Sequence, residues 1–288
     1  MGMPKMSHAA YDVAPLAPPL ASSPIPFETW WPWYSKALYI IASKYDASDK
    51  QNQAALQTFI NTLTPLFPHP EYRQYAQDFI VMKPYVLDVL LSSTPHIFRA
   101  YPWLENVLRT NVKQFHQMAI NNQDNEGLFL WIYLLHSFLV GIVNRKFAQQ
   151  TYAQQQSNPY SVSMMSTPYK MYMPSVAELK ENYDPRKMTI SDWGQAVWYI
   201  LHTTALHAPQ PLEQSFQLYK QMVYSLRYLL PCARCKQHLT QNVNYIDFDT
   251  CPRNHHELFK CSWRLHNIVN QATGKPIMPL EQALSFYV

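Results

Sequence analysis

The chain has 288 residues, of which 48% are hydrophobic and 15% charged. That is enough to bury a sizeable core and, at roughly 150 residues per domain, to make two domains. A formal net charge of +4 with no block of like charges speaks against a nucleic-acid partner. Only five glycines are present, none in a Gly-rich dinucleotide fingerprint, so any nucleotide must be held by other means.

Residues 1–26, "MGMPKMSHAAYDVAPLAPPLASSPIP", are rich in Pro, Ala and Ser and carry no apolar period, as expected of a flexible arm. The start lacks the apolar centre of a secretory signal, and the myristoylation pattern fails at Met6, so the expected location is the cytoplasm. From 27 to 147, helix-length apolar segments are punctuated by Pro65, Pro68, Pro84, Pro95 and Pro102, which predicts a helical domain. Its longest apolar run, 128–143, is shorter than the roughly 20 residues of a bilayer span and contains His136, so a buried core helix is expected. Residues 148–184, dominated by Gln, Ser, Tyr, Met and Pro, read as a low-complexity linker.

The region 185–288 is the most regular. After a candidate cap at Ser191, Trp193, Ala196, Val197, Ile200, Leu201 and Thr204 form one helical stripe. Leu212, Phe216, Tyr219, Val223, Leu226 and Leu230 form a second, ended by Pro231. A third helix begins at "CARC", a fourth runs from about Asn254 to Gly274 with Leu258, Cys261, Leu265, Ile268 and Ala272 inward, and a short fifth covers 280–287. Period-2 runs are scarce, so the expected fold is all-α, a compact helical bundle.

Cys232 and Cys235 stand three apart in a chain of four cysteines. At a helix start, the dipole and unpaired N–H groups favour thiolate at the first cysteine, and the second is close enough to form a disulfide. The alternative is a zinc site drawing on Cys251, Cys261, His255 or His256, and spacing alone leaves both open. The neighbouring helices add weight to redox chemistry. Gly194, Trp198 and His202 share one face of the first helix, and Trp263, His266, Asn267 and Asn270 lie together on the fourth. Two helices presenting aromatic and imidazole groups beside a dithiol suit a flat ring such as a flavin, with Asn and Lys275 for its carbonyl and phosphate oxygens.

"WGQAVWYILH", "LPCARCKQHL" and "LHNIVNQATGKP", in that order, resemble the Erv/ALR family of FAD-linked sulfhydryl oxidases over about Asp192 to Val288. The resemblance implies a four-helix bundle plus a short fifth helix that binds FAD. It implies FAD contacts from Trp198, His202, His266, Asn267, Asn270 and Lys275, with Tyr287 where the family has an aromatic near the adenine. Cys232 and Cys235 become the catalytic pair, passing electrons from thiol-containing protein substrates to FAD and then to oxygen, which leaves as peroxide. His202 or His238 would assist proton movement. A viral setting is also suggested, since large DNA viruses encode such oxidases. The rival function is a non-enzymatic, zinc-stabilised helical interaction protein.

Two places depart from the family. Trp263 and Leu280 stand where members often have a structural disulfide, and Cys261 replaces a tryptophan. Cys251 and Cys261 are left either paired, as a shuttle, or as inert thiols. At one constant offset, "WWPWYSKALYIIAS" meets "WGQAVWYILHTTAL" and "LFPHPEYRQY" meets "LLPCARCKQH", which puts Trp30 opposite Trp193 and His69 and Tyr72 at the cysteine positions. "LHSFLVGIVNRK" echoes "LHNIVNQATGK", setting His136 against His266. Residues 27–147 are therefore either a degenerate, cysteine-less copy, packed as an intramolecular pseudo-dimer or leaving room for a homodimer, or an unrelated helical domain that caps the oxidase.

Overall fold

A computed structural model describes residues 25–121, 125–157, 174–184, 187–251 and 254–287. The arm therefore lies outside the described residues apart from Ile25 and Pro26. All regular secondary structure among the described residues is helical.

The N-terminal half opens with α1 (Phe27–Lys44), α2 (Lys50–Leu63) and α3 (Pro70–Ile80). Four short helices follow: α4 (Pro84–Ser93), α5 (Pro95–Ala100), α6 (Pro102–Thr110) and α7 (Val112–Asn121). The first three of these, like α3, begin on a proline, whose fixed φ suits the first helical position and whose missing N–H costs nothing there. The half closes with α8 (Glu126–Ser157), whose apolar stretch is 83% buried within the protein. It is long and apolar enough to cross a membrane, but it packs instead as a central core helix.

Residues 148–157, expected in the linker, continue α8, because the Gln/Ala-rich stretch extends an established helix and no proline stops it. Residues 158–173 lie outside the described residues. Beyond them α9 (Val176–Asn182), also inside the expected linker, is nucleated by a capping box between Ser175 and Glu178.

The C-terminal half comprises α10 (Ile190–His207), α11 (Leu212–Leu229), α12 (Ala233–Asn242), α13 (His255–Ala272) and α14 (Leu280–Ser285). The cap of α10 is Thr189 rather than Ser191, since Thr189 and Asp192 bond each other's backbone reciprocally. Phe27 and Lys44, the ends of α1, align at the constant offset with Ile190 and His207, the ends of α10. Pro70 of α3 likewise aligns with Ala233 of α12.

The two halves pack like on like, α1 against α10 and α2 against α11. The buried Tyr34 hydroxyl bonds the Thr204 hydroxyl across this interface at 2.8 Å. Arg73 Nη2 donates to His207 O at 3.2 Å, and Lys236, the residue matched to Arg73, faces Asp49 and Asp46 in the α1–α2 loop. One continuous core runs through both halves.

Candidate functional site

Leu230-Pro231 breaks α11 away from α12, and Cys232 becomes the N-cap of α12. Its Sγ accepts the Cys235 N–H at 3.3 Å, so amide dipoles point at this sulfur and favour it as a thiolate. Cys232 and Cys235 form a disulfide with Cα atoms 5.1 Å apart, and both are half-buried. Burial lowers the pKa of the neighbouring Lys236, opposed by the charges of Asp49 and Asp46. His238 lies half-buried on the same helix. α12 packs on both α11 and α13, and α13 is the helix that also bears Trp263 and His266.

An aromatic cluster is centred on α10 and α13. The Trp198 and His266 rings lie parallel, 4.0 Å apart and 8° from coplanar. His202 Nε2 bonds His266 Nδ1 at 2.9 Å, and His202 Nδ1 bonds the Ser262 hydroxyl at 2.9 Å. Burial, reinforced by His266, holds the His202 pKa well below its ordinary value. Burial, with Lys275 adding to it, lowers that of His266 to about 4. Both imidazoles are therefore neutral near pH 7, so each can donate through one nitrogen and accept through the other.

The end of α13 aims the remaining groups. Gly274 adopts φ +71°, and Lys275 N donates to Asn270 O at 2.8 Å while Gly274 N donates to Gln271 O at 3.2 Å. This helix-ending turn leaves Lys275 exposed beside His266. Asn267 uses its amide on the main chain of Met278, donating at 3.0 Å and accepting at 3.0 Å, and Trp263 Nε1 donates to the same carbonyl at 2.8 Å. Trp263 and Asn267 thus tie the segment after Gly274 back to α13, two residues before Leu280. Tyr287, just past α14, rests against His202, Tyr199 and Phe259 at ring distances of 5.1, 5.6 and 5.9 Å.

The structure thus gathers Trp198, His202, His266, Lys275 and Tyr287 in one place, with Gly194 four residues before Trp198. Ser262, Tyr199 and Phe259 also belong to the cluster and were missed from the sequence. Ser262 sits four residues before His266, a spacing that puts both on one helical face, so this signal was available.

Two observations suit a ring system bound at this cluster. A Cβ built on Gly194 would meet nothing within 4 Å, so the helix face beside Trp198 is open. The donors are those a flavin nucleotide needs, namely flat aromatic faces, neutral imidazoles and a cationic Lys275.

At the constant offset, the N-terminal half places large rings opposite several of these residues. Trp31 occupies the place of Gly194, and its fully buried indole lies edge-on to His136 at 5.5 Å. Tyr39, matched to His202, bonds His136 Nδ1 at 3.2 Å and stacks on Tyr183 at 5.2 Å. His69 caps α3 as Cys232 caps α12, accepting the Glu71 N–H through Nδ1.

The remaining cysteines, Cys251 and Cys261, are bonded to each other and are 5% and 4% exposed. The four cysteines therefore resolve into two disulfides instead of converging on one centre, and no group of three or more His, Cys, Asp or Glu side chains among the described residues is arranged to hold a metal.

Comparison with known proteins gives the same region an identity. The Erv1 / Alr family model matches residues 195–286. A protein of Acanthamoeba polyphaga mimivirus named as a probable FAD-linked sulfhydryl oxidase is 31% identical over 99 residues, which cover 34% of this chain and 69% of that protein. An FAD-linked sulfhydryl oxidase of Oryza sativa subsp. japonica is 27% identical over 105 residues, 36% of this chain, and the match spans about half of that relative, 53%. One from Arabidopsis thaliana is 26% identical over 148 residues, 51% of this chain and 75% of its own. No solved structure matches the chain. The chain belongs to the Erv1/Alr family.

Proposed function

We propose that this chain is an FAD-dependent thiol oxidase that forms disulfides in protein substrates at Cys232–Cys235 and delivers the electrons to molecular oxygen, yielding hydrogen peroxide. The observation that carries the reading is the half-buried disulfide capping α12, a helix that packs on α13, the helix whose His266 stacks on Trp198 of α10.

A substrate thiolate attacks Cys232 Sγ, making a mixed disulfide and releasing Cys235 as thiolate. A second substrate thiolate then attacks the substrate sulfur of that mixed disulfide. The substrate leaves as a disulfide, Cys232 leaves as thiolate, and two electrons have entered the dithiol. The α12 amides stabilise the Cys232 thiolate at this stage. Bound FAD supplies a two-electron acceptor that oxygen can reoxidise. Trp198 and His266 would offer it a flat surface, Lys275 would meet its phosphates, and the neutral His202–His266 pair can hold or give a proton at His266 Nε2. Residues 27–147 are read as a degenerate copy of the oxidase bundle, supported by the matched helix ends and by Trp31 standing opposite Gly194.

The test combines an absorption spectrum with oxygen uptake. The purified protein should carry flavin bands and consume oxygen with dithiothreitol. Cys235→Ser should keep the flavin and lose the uptake, and Cys232→Ser should lose disulfide transfer. Near-normal turnover in Cys235→Ser refutes the electron path.

A further inference from the structure

The interface between the halves reaches the edge of the candidate cleft. On α1, Thr29, Trp33 and Lys36 follow one another at helical spacing on the side that meets α10. The Trp33 indole stacks on the Tyr199 ring with centroids 5.3 Å apart and planes 22° apart. The Tyr199 hydroxyl donates to Thr29 O at 3.4 Å. Lys36 Nζ lies over the Trp33 ring, 5.9 Å from its centroid. Tyr199 in turn contacts Tyr287, which rests on His202. A line of rings therefore runs from the N-terminal half to the imidazole at the centre of the site.

The register of the two halves makes this line one-sided. At the constant offset Trp33 aligns with Ala196 and Lys36 with Tyr199. Two copies of the C-terminal half packed in the same like-on-like way would bring only a methyl group to the place where Trp33 meets Tyr199. The N-terminal half has Trp31 opposite Gly194, and at Trp33 it carries a large ring where the C-terminal half has only Ala196.

Resting on the FAD reading above, we propose that Trp33 is a positioning residue for the cofactor cleft of the other half. Tyr199 and Tyr287 are both half-buried, and Tyr287 lies past the end of α14, where its N–H donates to Leu284 O at 3.0 Å while its ring is placed by the neighbouring rings. Stacking on Trp33 fixes Tyr199, and Tyr199 fixes Tyr287 against His202 before the ligand arrives. Ordering these side chains in advance removes a cost from binding, so the stack strengthens FAD affinity without touching the reacting atoms.

The experiment uses the full chain, stripped of FAD and titrated back by the quenching of flavin fluorescence, with thermal unfolding of the apoprotein measured alongside. Trp33→Leu keeps apolar volume and removes the ring, and Trp33→Phe restores a ring. Trp33→Leu is expected to weaken FAD binding by about three- to tenfold, the size of one aromatic pair, and to speed FAD release. The apoprotein midpoint should fall by no more than the few degrees that one lost aromatic pair costs, and Trp33→Phe should recover most of the affinity. Should Trp33→Leu fail to fold, Tyr199→Leu must show the same weakening, and in that background Trp33→Phe must add nothing. Wild-type affinity in Trp33→Leu, or in Tyr199→Leu, overturns the proposal, as does a Trp33→Phe variant as weak as Trp33→Leu. A wild-type apoprotein that takes up no FAD overturns the oxidase reading instead, which separates the two failures.

Discussion

Replacing both Cys251 and Cys261 by Ala tests whether the second disulfide is a staple or a redox partner. The bond closes a loop with a sequence separation of 10 and ties the short helix Phe248–Thr250, whose Phe248 is buried beside Tyr219, to the middle of α13. In the chain-entropy model, freeing a loop of this length costs about 2–3 kcal/mol. At about 2–4 °C per kcal/mol for a chain of this size, the thermal midpoint should fall by about 5–10 °C. With Cys251 and Cys261 buried, 5% and 4% exposed as residues, an incoming thiolate has no ready path to the bond. Oxygen uptake should therefore be unchanged, well below the new midpoint, with dithiothreitol and with a reduced unfolded protein alike. Scanning fluorimetry and an oxygen electrode give both readings. An unaltered midpoint, or uptake lost with the protein substrate and kept with dithiothreitol, would refute the structural assignment.

Three further outcomes are expected. Trp198→Ala combined with His266→Ala should purify without flavin and lose the ligand's contribution to stability, about 2.7 kcal/mol when FAD stands at a hundred times its Kd; a fully yellow double variant would mean that α10 and α13 do not form the site. Because His266 is lowered from its ordinary 6.5 to about 4, the unfolded chain binds more protons between these values, so stability should fall as pH drops from 6.5 towards 4. His266→Gln should flatten that slope in denaturant titrations, and an unchanged slope would count against a buried neutral imidazole. Trp31→Ala should destabilise the protein by about 3–5 kcal/mol, as expected of an emptied aromatic site, while FAD titrations of the folded variant stay as in wild type.

Local chemistry made much of this architecture readable before the structure. The stripe from Leu212 to Leu226, the Pro231 break and the cap at Asn254 each follow from period and capping, and α11 and α13 lie accordingly. The sequence placed Trp198, His202 and His266 on facing helices because their spacing is helical. It did not reveal that Asn267 and Trp263 turn to Met278, since that bond depends on how the chain returns after Gly274. The Thr189 cap was legible as Thr-x-x-Asp but lost to the nearer Ser191. The pairing of Cys251 with Cys261 and the stacking of Tyr183 on Tyr39 are contacts between segments that no period connects.

The like-on-like packing of α1 on α10 and α2 on α11 joins surfaces that belong to a single chain. Two separate subunits meeting through such surfaces would part on dilution, and their stability would depend on their concentration. Here the joining step is unimolecular, so the effective concentration of one half around the other is fixed by the connecting chain and stays the same however scarce the protein is. An oxidase built this way keeps its interface, and the Trp33–Tyr199 stack within it, from the first molecule synthesised.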